Sequence, residues 1–195
     1  MAGSPPTKIM IIRHAEKPPK APNNAGPWDV LVDGKSGGGE SLIVQGWQRA
    51  GALNAFFAPY RSTPSNPEIA TPDYIYAANP NEKTQRPWET VTPLAAWLNY
   101  AQDSAQFNVS YSVGAGEPDL VTSVLALNGV VLICWEHHNI MPNIIGGIHS
   151  KVPITNYSSI PNAFPDVFYL VWVLNLKGRS YKWTSTHQNL MASDV

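Results

Sequence analysis

The stretch IIRHAEKP, residues 11–18, sets Arg13 and His14 side by side directly after a run of apolar residues. A second group of reactive types, Glu136-His137-His138-Asn139, follows the apolar run VVLICW in the same way. A third, Arg86, stands a few residues beyond PDYIYAA. Guanidinium and imidazole together can hold an anion such as a phosphate, whereas imidazole with carboxylate can hold a zinc or non-haem iron. The competing reading of each is a polar loop where the chain reaches the surface.

The elements decide between these readings. Residues 9–12 and 130–135 read as buried strands, the latter a near-continuous apolar run of the kind covered on both faces in parallel sheets. Residues 72–78, 107–113, 166–176 and 180–185 are further strand candidates. Between them lie helical patterns. From Ser41, Trp47, Ala50, Leu53 and Phe57 fall near one face. Gln85–Leu98 reads as a second helix despite Pro93, and Pro118–Leu127 as a third, closed by Asn128-Gly129. A fourth is expected from Asn139 to about Gly146-Gly147, with His149 in a surface loop beyond it. Strands alternating with helices predict one α/β domain over residues 1–195, a three-layer α/β/α sandwich with a mostly parallel central sheet. In such sheets ligands bind outside the carboxyl ends of the strands. The three charged groups all fall at or soon after such ends, in a chain with only 14% charged residues.

Composition narrows the function classes. A net charge of −1 offers no sequence-wide basic field for a nucleic acid. No apolar stretch has the length of a membrane span, and the first residues lack the pattern of a signal peptide, so a cytoplasmic protein is expected. The single cysteine, Cys134, excludes an internal disulfide framework and reads as a core residue. Residues 18–41 hold four prolines and the run GKSGGGES, read as a mobile flap. Its Gly34-Lys35-Ser36 does not complete a phosphate-binding loop, because Asp29 stands where that pattern needs glycine.

RHAEK, GWQRAGAL, RPWETVTPLA and VLICWEHHNI, in this order, resemble the histidine phosphatase superfamily, the phosphoglycerate-mutase-like fold. The similarity runs from about residue 8 to 175. Ala15 replaces the glycine of the family's opening triplet, and His138 replaces the glycine that often follows its second histidine. The resemblance implies that His14 is a nucleophile that takes the phosphoryl group. It implies that Arg13, Arg86 and His137 clamp the phosphoryl oxygens, with Lys17 either a further phosphate contact or a solvated loop lysine. Covalent phosphohistidine chemistry splits one difficult displacement into two easier ones. Phosphoryl transfer draws most of its stabilisation from pre-placed cations and donors.

The proton donor departs from the family pattern. Glu136, adjacent to His137, is the preferred general acid, with Glu16, Glu40, Glu117 and His138 as further candidates. A metal held by His14, Glu136, His137 and His138 is the chemical rival. Arg13 beside His14 disfavours a dication, so no metal and no cofactor are expected. The expectation is therefore a metal-independent phosphatase acting on a small phosphorylated substrate, with a mutase the lesser variant. The alternative is a phosphate-ligand binding or regulatory protein with the same pocket and little turnover. Neither the substrate nor the oligomeric state is legible in the sequence.

Overall fold

The computed structural model describes residues 4–19, 28–31, 34, 38–81, 84–102 and 105–194. Most of the glycine-rich 18–41 segment, including Lys35 and Ser36, lies outside the described residues, so its reading as a flap is not addressed. The strands are β1 (Lys8–Arg13), β2 (Tyr74–Ala78), β3 (Gln106–Tyr111), β4 (Val130–Trp135), β5 (Leu170–Lys177) and β6 (Ser180–His187). They form one sheet in the order β3-β2-β4-β1-β5-β6. The first four pair in parallel, but β5 runs antiparallel to β1, and β6 antiparallel to β5. The sheet is therefore mixed: its β3-β2-β4-β1 part is parallel, and the β5-β6 edge expected to continue it is antiparallel. For β6 the cause is local: only Gly178 and Arg179 separate it from β5, room for a hairpin and too little for the crossover a parallel pair needs.

Period-two alternation sends successive side chains of the central strands to opposite faces. Ile9, Ile11, Val131, Ile133 and Trp135 enter one core; Met10, Ile12, Leu132 and Cys134 enter the other. The second core is closed by α1 (Val44–Phe57) and α2 (Arg86–Gln102), through Leu53, Phe57, Val91, Leu94 and Leu98. The first is closed by α3 (Glu117–Leu125) and by a helical run from residue 137 to 151. That run comprises α4 (His137–Asn139), a π-helical stretch (Ile140–Ile145) and α5 (Gly146–Lys151). Three layers result. Gly146 and Gly147 do not end the helix: it carries on to Lys151. His149 thus lies on α5, where it stacks on Tyr157 at 3.9 Å and accepts the Ile154 N–H at 3.0 Å, and not in a surface loop.

The strand read from Asp166 begins four residues later, at Leu170. Residues 166–169 stay irregular, and because β5 runs antiparallel to β1 they lie at the sheet edge where β1 and β4 end.

Candidate active site

β1 delivers Arg13 and His14 to this edge with almost no exposure, 1% and 2%. The His14 N–H extends the ladder by donating to Trp135 O at 3.2 Å. The His14 Nδ1 lies 2.7 Å from Ala15 O. A carbonyl can only accept, so the ring proton sits on Nδ1 and the lone pair is on Nε2. Burial, then the positive charge of Arg13, holds the imidazole well below its usual pKa, with Arg86 and Lys17 adding to the effect. His14 is thus a neutral imidazole with its basic nitrogen fixed.

The chain around His14 is tied down by α1 and α2. Ala15, fully buried, donates its N–H to Thr90 Oγ1 at 2.8 Å. Thr90 is on the first turns of α2 and in turn donates to Arg86 O at 2.7 Å. Glu89, one residue earlier, accepts the Leu42 N–H at 2.9 Å; burial pushes its carboxyl above the usual range. From α1, Arg49 grips the Glu16 carboxylate at 2.7–3.1 Å and the Asp194 carboxylate at 2.6–2.9 Å. Burial works against the Arg49 charge, and the hydrogen bonds it donates to Asp194 and Glu16 outweigh it, so its pKa is raised. Glu16 is consumed by this structural cluster.

Arg13 spends one nitrogen on Asp166 and stacks its guanidinium on Phe168, 4.3 Å from the ring centre. Its Nε and its other terminal nitrogen are buried and have no hydrogen-bond partner. Arg86, at the start of α2, donates to Gly39 O and lies 3.4 Å from Glu40, yet its Nε is also buried and unpartnered. Such orphaned donors cost roughly 1–3 kcal/mol each unless something accepts from them. Buried guanidiniums with spare N–H groups beside a neutral imidazole can hold an anion by donating to its oxygens.

His137, the first residue of α4, is 7% exposed, and burial followed by the Arg13 charge lowers its pKa to about 4. Its Nε2 is 3.9 Å from Asp166 Oδ1. Its Nδ1 is 3.2 Å from Glu136 Oε1 but without hydrogen-bond alignment. The other Glu136 oxygen caps α4, accepting the His138 N–H at 3.0 Å and the Asn139 amide at 2.9 Å. Glu136 therefore stands behind the His137 ring. His138, with a side chain 79% exposed, opens onto the mouth. The mouth is a cleft of about 490 Å³ lined by Lys17, Pro18, Pro19, His137, His138, Asp166 and Phe168.

Glu117 and Glu40 are also engaged elsewhere. Glu117 is fully buried and accepts from the Trp135 indole and the Gly114 N–H. Glu40 is tied to the Arg86 side. Asp166, which the sequence presents as the first residue of a strand, is the site carboxylate that sequence reasoning misses. Its signal lies in the topology: the start of an antiparallel strand comes back to the edge where parallel strands finish. Among the described residues, Glu136, His137 and His138 offer ligand atoms within 4.8 Å of one another and could hold a metal; His14 is not in that group. No helix of the described residues is long and apolar enough to cross a membrane.

No family model matches the chain, and no curated protein matches it. Among solved structures it is similar to SixA of Agrobacterium tumefaciens, described as a candidate phosphohistidine phosphatase. The identity is 16% and the TM-score 0.49, over 94% of this chain and 97% of that one.

Proposed function

We propose that the protein is a metal-independent phosphatase that works through a phosphohistidine on His14. The observation that carries this reading is the pairing of a neutral imidazole, its Nε2 free, with the unpartnered buried nitrogens of Arg13 and Arg86. In the first step Nε2 attacks phosphorus while the bond to the leaving oxygen breaks. Arg13, Arg86 and His137 accept the charge spreading over the phosphoryl oxygens, with Lys17 adding positive potential at the mouth. In the second step water attacks the phosphohistidine and His14 leaves as the neutral ring. The small cleft, with Pro18, Pro19 and Phe168 as its apolar walls, suits a small phosphorylated substrate.

The test is rapid-quench labelling with a phosphate ester carrying a labelled phosphoryl group. The expected result is label on the wild-type protein that is alkali-stable and acid-labile. In His14→Ala that label disappears and kcat falls by at least ~10³-fold without loss of fold. Chelators should leave wild-type turnover unchanged. Tight anion binding with neither label nor product would instead favour a phosphate-binding protein, a reading supported by the carboxylate that already rests on Arg13.

A further inference from the structure

Phosphoryl transfer is in line, so the leaving oxygen departs on the side opposite the nucleophile. His14 is buried beside the cleft, its ring centre 6.0 Å from that of Phe168 in the lining, so a leaving group opposite its Nε2 would point toward the cleft mouth. Among the described residues lining that mouth, Asp166 is the one carboxylate. Its Oδ1 bonds the Arg13 guanidinium and lies 3.9 Å from His137 Nε2, between the two groups that would grip the phosphoryl oxygens. Yet the side chain is 80% exposed, on an irregular segment. An exposed carboxylate on a buried guanidinium holds weakly, because water competes for it. A dianionic phosphoryl group offering several oxygens displaces it at little cost.

We infer that Asp166 is the proton donor to the leaving oxygen, parked on Arg13 until the substrate's phosphoryl group displaces it. This rests on the phosphatase reading above. The groups facing the carboxylate are Arg13 on β1, His137 on α4 and Lys17 beyond β1. The Arg13 hydrogen bond keeps Asp166 ionised, with its carboxyl below the usual range. Once phosphoryl oxygens engage Arg13, that cation is shared and a like charge stands beside the displaced carboxylate; both changes favour its neutral form, with one proton taken up from solvent as the substrate binds and returned when phosphate leaves. The proton then passes to the leaving oxygen as its bond to phosphorus breaks and the bond from His14 Nε2 forms. The resulting carboxylate takes a proton back from the water that hydrolyses the phosphohistidine, so the cycle closes without another reagent. Glu136, with one oxygen capping α4 and the other behind His137, orients that ring and is a positioning residue.

The experiment measures the rate of phosphoenzyme formation in single turnovers, for an alkyl phosphate and for a nitrophenyl phosphate. Asp166→Asn should slow the alkyl ester by ~10²–10⁴-fold, the usual worth of general acid assistance, and the nitrophenyl ester little, because its oxygen leaves without a proton. Glu136→Gln and Glu40→Gln should not change the ratio between the two substrates. Orthovanadate should bind Asp166→Asn at least as tightly as wild type, since no resident carboxylate competes. Equal slowing of both esters, an unaltered alkyl rate, or weakened vanadate binding would overturn the assignment while leaving the phosphatase reading intact. A wild-type protein that forms no phosphoenzyme from either ester would remove both.

Discussion

Burial and the charge of Arg13 keep both site imidazoles neutral, and the consequence can be read in stability as well as chemistry. For His137 the folded pKa is about 4 against an ordinary value of 6.5. Between these two values the unfolded chain binds a proton that the folded chain does not. Stability therefore rises with pH across that window and is lost as pH falls through it. His14, also lowered, acts in the same direction. Denaturant midpoints measured from about pH 4 to about pH 7 should climb with pH. His137→Asn should flatten part of that climb, and an unchanged slope would show that His137 is not protonated differently in the two states.

At the scale of elements, the site depends on how closely α1 approaches the chain leaving β1. Gly46, in the first turn of α1, is packed so that an added Cβ would lie 2.5 Å from Glu16 O. That neighbour is backbone and cannot step aside without shifting the segment that carries His14. Gly46→Ala should therefore cost about 1–3 kcal/mol, the usual range for overpacking. It should also lower kcat, and thermal melting beside the esterase rates checks both. Much of this is legible in the sequence: Arg13, His14, Glu136 and His137 all stand where an apolar run stops, and the structure brings these runs together as β1 and β4. Arg49 is not legible, because a lone arginine within a helical pattern does not reveal partners 33 and 145 residues away. Asp166 is hidden for a different reason. The apolar run that follows it draws the strand boundary too early, and the antiparallel sense of β5 is set by its pairing with β1, a contact remote in sequence.

Across the whole molecule the Arg49 cluster joins three remote parts: Glu16 after β1, Arg49 on α1, and Gln188 with Asp194 beyond β6. All three charged side chains are at least nine-tenths buried. Arg49→Met would leave two carboxylates without their counterion and should cost ~3–5 kcal/mol, seen as a lowered denaturant midpoint. A change below about 0.5 kcal/mol, the level of an ordinary surface substitution, would mean the cluster is solvated in solution.

The place of β1 in the sheet carries one more consequence. It is hydrogen-bonded on both sides, to β4 and to β5, and Ile9 through Ile12 have no exposure. Amides there can exchange with deuterated solvent only when the whole domain opens, so their protection reports the global free energy. Asp166, bonded to Arg13 at the end of β1, sits on a segment outside the ladders, where fluctuations of low free energy suffice for exchange. The strand that leads to His14 thus belongs to the longest-lived part of the molecule, and the carboxylate that bonds Arg13 to one of the shortest-lived. A deuterium label would enter these two bonded segments on timescales orders of magnitude apart.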